Sequence, residues 1–183
     1  MDGGDALYIH SKYINDTIRK YIECTEIKTS PANKLKFEYI FYGYFKKGLK
    51  TIFDVGSQEN SIYRDFEGEV HYFEPVTKLL EILKRSYNRN TKSIFNNFML
   101  SNKRCGDFTK KYETISSSRE MGKNYIIKHK ISTIQLLKID DCIHLMDIIK
   151  GFEELMKDVR IIQFTWFDND TIKLINVLEY LHP

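Results

Sequence analysis

Cysteine, proline and glycine are all scarce in this chain of 183 residues, at three, three and nine. Cys24, Cys105 and Cys142 are odd in number and far apart. That spacing excludes a CxxC-type zinc site and the disulfide framework of a small secreted domain. A reduced, cytoplasmic setting is the expectation. Low-complexity linkers and internal repeats are absent. No apolar run approaches the ~20 residues of a membrane span. The opening MDGGDALYIH lacks the basic-then-apolar pattern of a signal peptide, so no membrane partner is expected. An excess of one charge is missing too. The 28 basic and 25 acidic residues leave only +3, too little to argue for nucleic acid. The five histidines (His10, His71, His129, His144 and His182) are scattered, whereas a metal needs two or three to converge. No metal site is expected.

What the chain does have is apolar and aromatic mass: 42% hydrophobic residues, with 12 Tyr and 12 Phe. That suits one folded domain with a substantial core. Residues 1–48 read as an N-terminal helical segment. YINDTIRKYIECTEI has helical spacing. SPANKLKFEYIFYGYFKKG has a capping Ser30, Pro31 in the first turn and Gly48 at the end. From residue 49 to 183, short apolar strands alternate with helices. TIFDV, EVHYFE, SIFNNFML, IQLLKID and VRIIQFTW read as strands. TKLLEILKRSYNRN, IHLMDIIKGFEELMK and NDTIKLINVLEYLH read as helices. An insert at about 106–132 reads as two exposed strands, GDFTKKYE and NYIIKHKIS, around a polar loop. The fold class is therefore α/β, a Rossmann-like three-layer sandwich with a mainly parallel sheet.

In such sheets ligands sit beyond the carboxyl ends of the strands, where the strand order reverses. Gly56 lets the chain turn sharply after the first strand of this region and approach a ligand closely. Glu74 follows about twenty residues later, where these folds place the acid that accepts from ribose hydroxyls. The glycines of a GxGxxG loop are replaced by Ser57, Gln58, Glu59 and Asn60. A pyrophosphate has no cradle, so a ribose-bearing ligand without phosphates fits better, and S-adenosylmethionine (SAM) is the common one. Asp54, Glu74 and Asp140 at one rim repel one another unless something donates to them. Asp140 also suits a helix cap ahead of CIHLMDIIK.

Five blocks together carry a resemblance: FDVG (53–56), VHYFEP (70–75), SIFNNFMLSN (93–102), LLKID (136–140) and KGFEELMKDVRIIQF (150–164). The chain resembles the FkbM-type family of SAM-dependent methyltransferases, class I Rossmann-like enzymes, from about Leu49 to Leu181. The resemblance implies O-methylation of a small-molecule or glycan hydroxyl. It implies that Asp54, Gly56 and Ser57 lie along the cofactor, that Glu74 and Pro75 hold its ribose, and that Asn97 and Phe98 flank its adenine. Asp140 would face the methyl group as the catalytic acid residue. Ser117, Ser118, Arg119 and His144 would border the acceptor.

The sequence also departs from that family. In KIDDCIHL, Cys142, Ile143 and Leu145 stand where Glu, Gly and Glu are usual, and Thr165 replaces a Glu after IIQF. The last antiparallel strands of a full class I fold are expected to be missing. An open edge beside VRIIQF is then expected, with pairing to a second copy as its cover. Two alternatives follow. One is a catalytically degenerate binding or assembly module. The other is an RNA-modifying methyltransferase that uses the basic, aromatic insert.

Overall fold

The structure is a computed structural model. It describes residues 3–9, 41–43, 45–59, 61–87, 92–102, 118–141, 143–167 and 171–181. In chain order the elements are β1 (Gly3–Ile9), β2 (Thr51–Val55), β3 (Glu69–Phe73), α1 (Thr77–Ser86), β4 (Ser93–Asn96), β5 (Met99–Leu100) and β6 (Arg119–Glu120). They continue with α2 (Gly122–His129), β7 (Leu136–Ile139), α3 (Leu145–Lys150), β8 (Ile161–Phe167) and α4 (Thr171–Leu181). Short 3₁₀ turns occupy Lys46–Gly48, Ile62–Asp65 and Glu153–Asp158.

Six strands form one sheet in the order β1-β8-β7-β2-β3-β4. All neighbours are parallel except β1, which pairs antiparallel with β8 from Gly3 opposite Phe167 to Ile9 opposite Ile161. The chain leaves β2 for β3 and β4 on one side and returns to β7 and β8 on the other. The order therefore reverses between β2 and β7.

Strand alternation sends neighbouring residues to opposite faces, and each face has its own core. Phe53, Val55, Phe73, Leu137, Ile139, Ile162 and Phe164 pack with Tyr125 of α2, Ile148 and Ile149 of α3, Phe152, and Val177 of α4. Ile52, Val70, Tyr72, Leu136 and Ile161 pack with Leu80 and Leu83 of α1, and with Phe41, Tyr42, Tyr63 and Phe66. The result is the expected α/β sandwich with a layer on each side of a mainly parallel sheet.

Four readings need correction. First, part of the N-terminal segment expected to be helical is a strand, β1. It covers the β8 edge, so the edge that was to pair with a second copy is already occupied. In the rest of that segment, residues 41–43 and 45 are helical, and YINDTIRKYIECTEI lies outside the described residues. Second, SIFNNFML is not one strand. It breaks after Asn96, and Met99–Leu100 pairs instead with Arg119–Glu120 in a separate two-stranded sheet. The break sits where the Asn97 amide donates to the carbonyls of Glu74 and Pro75, at 3.0 and 3.2 Å.

Third, NYIIKHKIS is helical through His129 rather than an exposed strand. Its buried positions, Gly122 and Tyr125, follow a helical period. Lys130 closes the helix in the left-handed region, φ 54°. Its expected partner strand, GDFTKKYE, lies outside the described residues. Fourth, IHLMDIIKGFEELMK is not a single helix. The α-helix ends at Gly151, where the backbone passes close to Ser101. A Cβ at Gly151 would lie 2.4 Å from the Ser101 carbonyl oxygen.

A buried polar chain ties α2 to β3 and β4. The Asn96 amide donates to the Tyr72 carbonyl at 3.0 Å, which turns its Oδ1 toward Tyr125; the Tyr125 hydroxyl donates to that oxygen at 3.2 Å. Tyr125 also lies 2.8 Å from Nδ1 of His71, whose other ring nitrogen meets the Glu69 carboxylate. Burial pushes the Tyr125 hydroxyl up to about 12 and the His71 imidazole down. His71 is thus a core group of the sheet.

Two outcomes are expected in urea titrations. Gly151→Ala should lower stability by roughly 1–3 kcal/mol through overpacking against backbone. Tyr125→Phe should lower it by about 1–3 kcal/mol, because Asn96 and His71 lose a buried partner. Unchanged midpoints would contradict both assignments.

Candidate functional site

The reversal of strand order brings the ends of β2 and β7 together, with β3 alongside. Gly56 ends β2 with φ +74°, and its amide donates to the Phe73 carbonyl at 2.9 Å. A Cβ there would lie 3.4 Å from the Asp140 carbonyl carbon. Only glycine takes this turn without strain while lying so close to β7. Asp54, Gly56, Glu74 and Asp140 therefore converge at the switch point.

Glu74 is buried, at 3% exposure. One carboxylate oxygen accepts from the Gln58 amide at 2.9 Å and the other from the Val76 amide at 2.8 Å. The acid thus fastens the turn after β2 to the start of α1. Gln58 holds a left-handed conformation, φ 54°, which this bond helps to fix. Burial pushes the Glu74 carboxyl up. The two amides oppose that, and Asp141 and Asp54 add to it.

Below this rim lies a row of polar side chains across four strands. Tyr72, Asp54, Lys138 and Gln163 are register neighbours on β3, β2, β7 and β8, and all are buried. The Lys138 ammonium lies 2.6 Å from Oδ2 of Asp140 and 3.5 Å from Oδ1 of Asp54. Asp140 also accepts from the Thr165 hydroxyl at 2.9 Å. Burial pushes the Asp54 carboxyl up, against the pull of the Lys138 charge. The protein therefore supplies donors to Asp140 itself, while Lys138 reaches Asp54 only at the longer distance.

Asp141, not Asp140, caps the next segment. Its Oδ1 accepts from the amides of Ile143 and His144 at 3.1 and 3.0 Å. His144 places Nδ1 2.9 Å from the other Asp141 oxygen. Asn97 uses its amide on Glu74 and Pro75, and its Oδ1 accepts from Thr77 at 2.9 Å. Phe98 packs against Phe73 and Tyr125. The Ser118 carbonyl accepts from the Met99 amide at 3.1 Å, so Ser118 and Arg119 lie beside the strand that follows Phe98. Ser117 lies outside the described residues. A cavity of about 370 Å³ opens at the opposite end of the sheet, near Tyr42, Lys46 and Gly68; none of the expected site residues lines it. Among the described residues, no group of three or more His, Cys, Asp and Glu is placed to hold a metal ion, and no helix is long and apolar enough to cross a membrane.

Lys138, Asp141, Tyr72 and Gln163 were not singled out from the sequence. Lys138 had a visible signal. A lysine inside the apolar strand of LLKID, two positions from an acid, points to the same face as that acid and must be paired when buried.

No protein-family model matches the chain, and no curated protein is significantly similar to it.

The raised carboxyls set a pH dependence. Asp54 and Glu74 hold protons more tightly folded than unfolded. Stability therefore falls as pH rises from the ordinary carboxylate range through their folded values, and levels off above. Asp54→Asn, which leaves Lys138 paired with Asp140, should flatten this slope and raise stability near pH 7. Urea midpoints from about pH 4 to pH 7 would read it, and an unchanged slope would count against the buried Asp54 charge.

Proposed function

We propose that this chain is a SAM-dependent methyltransferase of the class I, FkbM type that methylates a hydroxyl of a small molecule or glycan. The observation that carries the proposal is the switch point itself: Gly56 turning against Asp140, with buried Glu74 at the neighbouring strand end. Two buried polar groups there are short of hydrogen bonds. The Asp54 carboxylate has only the Lys138 ammonium at 3.5 Å and the Ser61 side chain, and the Ser57 hydroxyl, 2% exposed, has no partner among the described residues. Groups of this kind fit a ligand that carries both donors and acceptors. Gln58 is exposed and Ile143 is 78% exposed, so neither side chain fills the cleft.

Asp54, Gly56, Ser57, Glu74, Pro75, Asn97 and Phe98 would hold the cofactor, which when bound supplies an electrophilic methyl on a sulfonium. Glu74 has lone pairs left beyond its two amide bonds and would accept from the ribose. Asp140, clamped by Lys138 and Thr165, keeps a partly exposed edge, 18% of its side chain. It would accept the acceptor's hydroxyl hydrogen and aim its oxygen. Methyl transfer depends mostly on such alignment, so one well-held carboxylate suffices. Ser118, Arg119 and His144 would border the acceptor.

A second reading, a binding module that has lost its chemistry, is favoured by a different observation. Both oxygens of Asp140 and both of Glu74 already accept from protein donors, and the Glu expected at Thr165 is gone.

Titration calorimetry with SAM is the test. Binding should be measurable, and Glu74→Ala should weaken it at least about ten-fold, or 1.4 kcal/mol. No heat from folded protein would refute the cofactor assignment. Binding without methyl transfer across a panel of hydroxylated acceptors would select the second reading.

A further inference from the structure

The buried row that joins Asn96, Tyr125, His71 and Glu69 can be counted hydrogen by hydrogen. The Asn96 amide is spent on the Tyr72 carbonyl, so its Oδ1 is an acceptor at one end. The Glu69 carboxylate is an acceptor at the other. Three contacts lie between those two acceptors: Asn96 to Tyr125 at 3.2 Å, Tyr125 to Nδ1 of His71 at 2.8 Å, and Nε2 of His71 to Glu69. Each contact needs one hydrogen. Tyr125 brings one, and burial keeps it in place, with the hydroxyl pushed up to about 12. A neutral imidazole brings one more. The third is present when His71 is an imidazolium. Glu69, with 45% of its side chain exposed, is not the group to carry it, because a carboxylate is a far weaker base than an imidazole.

We infer that His71 is a proton-operated latch: with two ring protons it ties α2 to both β3 and β4, and with one it frees α2 from β4. In the charged form Nδ1–H donates to the Tyr125 oxygen, which leaves the Tyr125 hydrogen for Asn96. When the second proton leaves, the remaining one stays on Nε2 against the Glu69 carboxylate, where the hydrogen bond is charge-assisted. Nδ1 then becomes an acceptor and competes with Asn96 for the single Tyr125 hydrogen. It is the nearer of the two, so the buried Asn96 oxygen loses its donor. The groups facing the ring are Glu69 from its own strand, Tyr125 and His129 from α2, and Phe53 from β2. Burial opposes the imidazolium, Glu69 favours it, and His129 opposes it. Glu120, farther out on β6, acts on Tyr125 and lies 3.7 Å from the Lys128 ammonium. Because α2 follows directly on β6, the latch sets how firmly the segment carrying Arg119 and Glu120 is held beside β5. Nothing in it depends on a bound cofactor.

The experiment is NMR of the whole chain with nitrogen-15-labelled histidine from about pH 4.5 to pH 8, around the ordinary imidazole range. Ring-nitrogen shifts report the protons on His71, and amide exchange is followed in the same samples. His71 should hold two ring protons at the acid end and lose the one on Nδ1 as pH rises, keeping the one on Nε2. Across that midpoint the α2 amides, corrected for intrinsic exchange, should lose protection roughly three- to ten-fold, while those of α3 keep theirs. In Tyr125→Phe the Nδ1–H has no acceptor, so the affinity of His71 for its second proton should fall about ten-fold. If that variant does not fold, the wild-type titration decides. A single ring proton at every pH where the chain is folded, loss of the Nε2 proton first, or α2 protection that ignores the midpoint would each overturn the latch. So would an unchanged midpoint in folded Tyr125→Phe.

Discussion

The contact on which the rest of this architecture depends is the buried ammonium of Lys138 between Asp54 and Asp140. It joins β2 to β7 where the strand order reverses, the seam at which the two halves of the sheet meet. Removing two carboxylates and an ammonium from water is expensive, and their attraction offsets that only when the geometry is good. Here the cation contacts Asp140 at hydrogen-bond distance and Asp54 at a longer one, and Thr165 completes Asp140. The seam lies directly under the turn at Gly56.

Two more constraints build outward from that seam. Glu74 spans from β3 to the turn after β2 through two backbone amides, so the loop above the seam is held by side-chain bonds rather than by a glycine cradle. Asn97 then fixes the Glu74–Pro75 turn from the end of β4. Each acid or amide at the rim thus has a structural task as well as a candidate binding role. Those tasks are compatible because a carboxylate oxygen has more than one lone pair.

Much of the sheet was legible in the sequence because its strands are short apolar runs bounded by helices. β2, β3, β7 and β8 fall where the alternation of patterns places them. The misreadings have specific physical causes. NYIIKHKIS carries an aromatic and three β-branched isoleucines in a short stretch, a composition that mimics a strand. Its burial is decided by Gly122 and Tyr125 against Phe152 and Phe73, contacts no local pattern carries. β1 contains two glycines and an aspartate, weak strand formers, and is held by β8 from the far end of the chain. At the site, Gly56, Glu74 and Asp140 were legible from spacing. The pairing of Lys138 with Asp140 had a local signal, two positions apart on one strand, but its contact with Asp54 did not, since that depends on the β2–β7 register, which only the folded sheet defines.

The pairing of β1 with β8 has a temporal consequence. Among the described residues Gly3–Ile9 pairs only with Ile161–Phe167, so this edge closes only after a strand more than 150 residues away in sequence is in place. Long-range strand pairing of this kind slows folding and leaves edges exposed to other chains. β1 therefore settles only after the strands behind it have formed. The two glycines and the charge at the head of β1 suit a segment that should remain uncommitted that long.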